Sequence, residues 1–299
     1  MKTVQNTTKR KKSDEKIVVM NFANETYRKQ QKDNTQSALK YGKADEVLEF
    51  SEKDLDEEYY TSNPEITKIK RGFGLWLWKP YLILKVMELM NDNEILVYSD
   101  GGLTFVRDVR KLIPFLNQSK DNVLLFELPL LNEDWTKREA FVYSGYEPEE
   151  NERQLIGAFM ILRVSQNSKE FIKEWYETCR DIRILSTEKF DKRIKEQPFF
   201  HTHRDDQSVL SIVAHKKNMD AYPDPTEWGE WPFKSSATGR CNFWKHKRPY
   251  PTIIICNRKA DSKTYLKRYK RMHFLYSIGM YNAFTIRVKL KLLNLIFRR

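Results

Sequence analysis

One stretch constrains the fold of this chain more than any other: RGFGLWLWKPYLILKVMELMNDNEILVYSDGG, residues 71–102. Pro80 suits a first helical turn, where its missing N–H loses no bond. Ile83, Val86, Met87 and Met90 then recur at i, i+3, i+4 and i+7, one apolar helix face. Asn91, Asp92 and Asn93 end that pattern, and ILVY (95–98) reads as a strand buried on both faces. Ser99, Asp100, Gly101 and Gly102 follow at its carboxyl end. In open α/β sheets that edge is where ligands bind, and glycines there let the backbone approach a phosphate. Asp100 has two readings, both open: the cap of a turn, or a carboxylate holding a divalent cation against a diphosphate.

The rest of the chain repeats the alternation. KIVVMNFAN (16–24) predicts a first strand, and 27–43 is polar and partly helical. The acidic stretch 45–65, nine acids against one lysine, predicts solvated surface anchored by Val47, Leu48, Phe50 and Leu55. Val106 to Leu116 predicts a helix, NVLLFEL (122–128) a strand and LIGAFMILRV (155–164) another. A helix from Asn167 or Ser168 carries Phe171, Ile172, Trp175, Tyr176 and Cys179 on one side. HRDDQSVLSIVAHKK (203–217) predicts a helix with an acidic first turn, which the helix dipole favours. PTIIIC (251–256) is a late strand after a Pro-, Trp- and Gly-rich region. This alternation predicts an α/β sandwich with a largely parallel sheet and irregular additions over one edge. Residues 1–15 read as a flexible basic lead-in, 16–260 as the main domain, and 261–299 as a basic, amphipathic C-terminal segment.

The formal charge of +12 is concentrated at the ends. Residues 261–299 hold ten Lys or Arg against one acid, Asp261, and 1–16 hold six bases against two acids. A basic nucleic-acid-binding protein is a rival reading, discounted because no recognition motif accompanies the charge. Three cysteines, widely spaced and without a CxxC, argue against a disulfide framework or structural zinc. They fit a reducing, cytoplasmic setting. The N-terminus lacks the apolar core of a signal peptide, and no run of about 18 apolar residues predicts a spanning helix. In 284–299, FTIRVKLKL alternates like a strand, whereas Arg287, Lys291, Asn294 and Arg298 form a polar stripe on an otherwise apolar helix. Such a helix suits an anionic membrane surface, and equally a docked helix or a dimer contact.

Three groups of residues are candidates for chemistry. Trp76, Trp78 and Lys79 combine rings that stack with a cation that meets phosphate, with Arg71, Gly72 and Gly74 upstream; the alternative is aromatic core beside a surface lysine. His203, Arg204, Asp205, Asp206 and Gln207 crowd one helix start. Capping accounts for one aspartate there, and a base, ion-pair partner or cation stabiliser accounts for two plus a glutamine. His246, between Lys245 and Lys247, faces either an anion or solvent.

The joint order Gly72-x-Gly74-x-Trp76-x-Trp78-Lys79-Pro80, then Tyr98-x-Asp100-x-Gly102, then His203-x-x-Asp206-Gln207-Ser208-x-x-Ser211 resembles a family of bacterial glycosyltransferases found among surface-polysaccharide genes. Trp135-Thr136-Lys137 and Gln154 through Arg163 are similar in type and order. The resemblance covers roughly 16–220. It implies the GT-A nucleotide-diphospho-sugar transferase fold and transfer of a sugar from a nucleotide donor to a glycan or lipid-linked acceptor hydroxyl. It also implies a cytoplasmic enzyme, peripheral at the inner face of the membrane if 284–299 binds lipid, with no specific nucleic acid partner. Asn21 and Phe22 would then lie near the base and ribose, Trp78 beside the donor, and Arg71 and Lys79 near the pyrophosphate. Asp206 and Gln207 would stand by the anomeric carbon. Asp100 matches the first carboxylate of the fold's Asp-x-Asp metal motif, next to Gly101, but the second carboxylate position is Gly102. A Mn²⁺ or Mg²⁺ cofactor would therefore recruit Asp205, Asp206 or His246, or be dispensable. A sugar-nucleotide-binding protein without catalysis is the second rival.

Overall fold

The computed structural model describes residues 1–6, 15–258 and 260–280. Strands β2 (Ile17–Phe22), β3 (Glu46–Phe50) and β4 (Ile95–Ser99) run parallel, with β2 in the middle. Beyond β4 the direction reverses. Strand β8 (Phe159–Arg163) pairs antiparallel with β4, placing Leu96 opposite Leu162, and β6 (Val123–Leu131) pairs antiparallel with β8. β6 also carries β7 (Arg153–Leu155) antiparallel and β9 (Ala221–Pro223) parallel. The expected α/β sandwich is present, and its sheet is mixed rather than largely parallel. An apolar run reports burial on both faces and carries no information about strand direction. The run 155–164 is in fact two strands, β7 and β8, separated at Ile156–Ala158.

Four longer helices cover the sheet, α1 (Arg28–Lys40), α2 (Trp78–Leu89), α3 (Gln166–Cys179) and α4 (Asp205–Lys216), and a fifth, α5 (Ser262–Ser277), packs on Trp231 and Ile255 apart from it. On one face Val18, Met20, Leu96, Tyr98 and Leu162 pack against Ile83 and Met87 of α2, Phe171 and Trp175 of α3, and Leu210 of α4. On the other, Ile17, Val19, Val47, Val97 and Ile161 meet Ala38 of α1, together with Phe105, Leu112 and Ile254. Burial on both faces is why these strands read as unbroken apolar runs. The α3 start is sharp because Ser165 accepts from the Ser168 backbone while the Ser168 side chain returns the bond, a capping box.

Several expectations change. The acidic stretch is partly sheet: Val47, Leu48, Phe50 and Leu55 are buried as expected, but Glu46–Phe50 is β3. Glu49 is tolerated there because Thr35 Oγ1 donates to it at 2.6 Å and Lys2 Nζ at 3.0 Å. Lys2–Gln5, inside the expected lead-in, forms edge strand β1 on β3. The helix expected over 106–116 is instead two single turns, Val109–Leu112 and Ile113–Leu116, that follow a short strand β5 (Leu103–Phe105). Asp108 caps the first turn at Arg110 N, and Pro114 cannot supply the N–H that would fuse the two. Of 251–256, only Ile254–Cys256 (β10) pairs, with β5 and outside the main sheet. Residues 262–277 dock on the body as α5 through Ser262 to Asp33 (2.6 Å) and Tyr265 to Glu227 (2.7 Å). The amphipathic segment 284–299 lies outside the described residues. Among those described, no helix is long and apolar enough to cross a membrane.

A buried amide network fastens α1 to the strand ends. Asn34 accepts from Asn21 Nδ2 (2.8 Å) and donates to Ser99 Oγ (2.8 Å) and Leu103 O (2.9 Å). Gln31 donates to Asn21 Oδ1 at 3.0 Å. Asn21 is fully buried, so the polar groups expected to meet a base are spent inside the protein. Asn34→Ala would orphan several of these groups at once, at about 1–3 kcal/mol for each buried group left unpaired. We expect it to lower the urea-unfolding free energy by at least that amount, and unchanged stability would contradict the network's role.

Candidate active site

Strand β4 delivers Asp100 to the sheet edge, where its N–H donates to Ala158 O (2.8 Å) and its carbonyl accepts from Leu103 N (3.0 Å). The turn threads between other chain segments. A Cβ on Gly101 would stand 3.1 Å from Phe22 O, and one on Gly102 3.2 Å from Arg258 Cα. Gly102 O also accepts from Arg258 N at 2.8 Å. A side chain at 102 would press that backbone back by a few tenths of an ångström, so the turn fits glycine where the second acid of the motif would stand.

Lys79, in the first turn of α2, reaches into this edge and is only 3% exposed. Its ammonium donates to Asp206 Oδ2 (2.6 Å) and Gly157 O (3.0 Å), with Asp100 Oδ1 at 3.6 Å. Three protons thus face three protein acceptors, so Lys79 is not the free phosphate contact expected from the sequence. Burial works against its charge, but Asp100 and Asp206 outweigh it and hold the lysine above its ordinary range. Asp206 is pushed up to about 7 by burial, against the pull of Lys79. Tyr98 donates to Asp100 Oδ1 at 2.5 Å, and Trp175 Nε1 donates to the Asp206 carbonyl at 3.1 Å. Gly157 leaves no spare room: a Cβ there would sit 3.0 Å from Gln207 Cβ and 3.3 Å from Asp206 Oδ2.

Arg71 and Asp205 form a second pair on the same edge, with Nη2 2.7 Å from Oδ2. Burial raises the Asp205 carboxyl and the guanidinium pulls it back. Between Arg71 and α2 the backbone makes a left-handed turn, with Gly72, Phe73, Gly74, Leu75 and Trp76 all at positive φ. Asp205 (φ 45°) and Arg258 (φ 49°) are also left-handed. Such conformations cost non-glycine residues about 1–2 kcal/mol each and gather at functional sites. Trp78 is buried beneath this turn, its ring stacked on Phe22 at 3.8 Å and its Nε1 donating to Gly72 O. The two rings expected to hold a base or sugar therefore occupy each other, as close-packed aromatics do when both fall on one core face.

Gln207 bridges outward, accepting from Gly157 N (3.3 Å) and donating to Gln154 Oε1 (2.8 Å). The same Gln154 oxygen accepts from Arg204 Nη1 at 3.1 Å, and the Arg204 guanidinium lies 3.8 Å over the Trp135 ring. Burial, then the neighbouring Arg258, lowers Arg204 to about 10. Among the described residues no acid pairs with Arg204 or Arg258, and Arg258 lies near enough for its charge to weigh on Arg204. The sequence shows Arg204 within the polar set at 203–207 but does not single out Arg258. Arg258 follows a strand at its carboxyl end, the one available clue, but nothing local ties residue 258 to residue 102. His203 serves the scaffold: it accepts from Lys137 N and faces Leu185 O, and burial lowers it to about 3, so its imidazole is neutral.

The residues present do not fit the divalent-cation site the resemblance implies. Asp205 is committed to Arg71 and Asp206 to Lys79, while His246 is exposed on its loop. Among the described residues, no three His, Cys, Asp or Glu side chains gather in metal-holding geometry. Asp100 alone, with 38% of its side chain exposed, remains open.

Comparison with solved structures returns glycosyltransferases at low identity. The chain is similar to mouse xyloside xylosyltransferase 1 in its apo form, with a TM-score of 0.46 and 10% identity over 81% of this chain and 97% of that one. It is similar to the galactosyltransferase LgtC in complex with donor and acceptor sugar analogues, at 0.48 and 11% over 84% and 94%. For the apo bifunctional glycosyltransferase WbbM the values are 0.44 and 12%, over 76% of this chain and 41% of that one. No protein-family model and no curated sequence matches the chain.

Lys79→Met would strand the Asp206 carboxylate in the interior. Breaking a buried pair from one side costs roughly 3–5 kcal/mol, whereas replacing both partners with apolar groups is often neutral. We expect Lys79→Met to be strongly destabilised in denaturant titrations, and Lys79→Met/Asp206→Leu to recover most of the loss. A single variant as stable as the parent would refute the pairing.

Proposed function

We propose that the chain is a glycosyltransferase that moves a sugar from a nucleotide-diphosphate donor to a hydroxyl of a glycan or lipid-linked acceptor, in the synthesis of a surface polysaccharide. One observation carries this reading. At the carboxyl ends of the strands, the acidic cluster Asp100–Lys79–Asp206 is flanked by Arg204, joined through Gln154 to Gln207, and by Arg258, whose backbone meets Gly102, and among the described residues no acid pairs with either cation. Glycosyl transfer wants both. Positive charge grows on the sugar ring in an oxocarbenium-like transition state while negative charge grows on the departing diphosphate, and preoriented groups of opposite sign stabilise each. The motif order in the sequence supports the same assignment.

The roles follow from position. Asp206, in its ionised form and held in place by Lys79, supplies the carboxylate beside the anomeric carbon, with the Gln207 amide next to it. Asp100, the most open acid of the cluster, orients a donor sugar hydroxyl. Arg204 and Arg258 receive the diphosphate, assisted by the half-exposed Arg71. The glycine turn at 101–102 lets Phe22 and Arg258 close in on the end of β4, which brings Arg258 to this edge. Asn21, Phe22 and Trp78 shape the floor from beneath.

Release of nucleoside diphosphate from a panel of nucleotide sugars, with glycan and lipid-linked acceptors, tests the proposal. Asp206→Asn should lower kcat by roughly 10²–10³-fold, the scale for removing one preoriented electrostatic group. Arg258→Ala should weaken donor binding by about tenfold or more, as for loss of a charge-assisted bond. Because Asp206 must be ionised and its carboxyl titrates near 7, kcat/KM should rise as pH passes upward through about 7 and fall below it. Full activity in Asp206→Asn would sink the assignment. Tight donor binding without turnover on any acceptor would leave a sugar-nucleotide-binding protein.

A further inference from the structure

Helix α5 has two faces of different character. Inward, Tyr265, Tyr269 and Met272 pack against Trp231 and Ile255. Outward, Lys263, Lys267, Lys270, Arg271, Phe274 and Ile278 fall at helical spacing along one stripe, and every one of them is exposed. The cations occupy the first two thirds of the stripe and the apolar side chains its end. Phe274 is 59% exposed, Ile278 50%, and Met280 just beyond them 64%. From 262 to 280 there is no acidic residue. Lys270 also lines a cavity of about 320 Å³ with Tyr41, Arg107 and His273, which carries the positive surface around the flank of the helix.

We propose that this outward face of α5 docks on an anionic lipid membrane, with Phe274, Ile278 and Met280 entering the headgroup–acyl boundary and the lysines lying against the headgroups. Two features share one stripe, cations and large apolar side chains. Long cationic side chains reach sideways to lipid phosphates while their stems lie on apolar surface, and large apolar groups at the same level gain by leaving water. Juxtamembrane cations add attraction to an anionic surface, one increment per residue. Nucleic acid would satisfy the lysines but offers nothing to three large apolar side chains at the end of the stripe. A second copy of the chain would bring like-charged stripes together. Membrane docking is read separately from sugar transfer, so either can fail alone.

The test is co-sedimentation of the full chain with vesicles of phosphatidylcholine alone and of phosphatidylcholine mixed with phosphatidylglycerol, at physiological salt. Binding is expected to the anionic vesicles only, and to weaken as salt rises. Phe274→Ser/Ile278→Ser/Met280→Ser should reduce partitioning at least tenfold, and Lys263→Glu/Lys267→Glu/Lys270→Glu by roughly a hundredfold. Both variants should keep the parent's melting temperature, because all six side chains are exposed. No binding by the parent, or binding that survives both sets of substitutions, would overturn the proposal. So would a change from dimer to monomer on substitution with vesicle binding unaltered, which would make the face a contact between copies.

Discussion

The ammonium of Lys79, buried between Asp206 and Asp100, is the interaction on which the rest of this site depends. A buried lysine needs acceptors for all its protons, and here it finds them on three separate elements: α4, the β7–β8 connection and the end of β4. It therefore ties the sheet edge to the helix layer at one point. The same contact sets the chemistry of Asp206, which burial alone would leave protonated over a wider range. Asp100 stays half in solvent because Tyr98 and Lys79 hold only its inner oxygen.

Around that point the backbone is forced into unusual conformations. The left-handed run from Gly72 to Trp76 lifts Arg71 over Asp205, and Arg258 adopts positive φ where it passes Gly102. Glycine at 101, 102 and 157 lets three segments converge without side chains between them. The strain is sustained by the packing beneath it, where Phe22 and Trp78 stack and the Asn21–Asn34 amides close the strand ends. Residues that look like ligand contacts in the sequence become the foundation that positions others.

The legible parts of the fold are those that local pattern dictates. The 83–90 apolar face, the 95–98 strand, the apolar side of the helix expected from Asn167 or Ser168 and the acidic start of α4 all follow from local pattern, and the structure has each, with that helix starting at Gln166. Strand direction, the split at Gly157 and the strand identity of Glu46–Phe50 are set by partners distant in sequence, such as Thr35 and Lys2 for Glu49. The site divides the same way. Asp100, Asp205, Asp206 and Gln207 were visible as polar clusters at element ends, and they converge. Lys79 was visible as a cation but not as a buried one, because nothing within α2 announces two carboxylates from elsewhere. Arg258 and Gly157 enter only through tertiary contact.

The measurement closest to the central claim is a pH titration of the Asp206 side chain by NMR, with aspartate carboxyls labelled with ¹³C and Asp206→Asn used to assign the signal. The account predicts a midpoint near 7 in the parent and a higher midpoint in Lys79→Met, where the stabilising cation is gone. A midpoint in the ordinary carboxylate range, unchanged when Lys79 is replaced, would show that the ammonium and this carboxylate do not share a buried site.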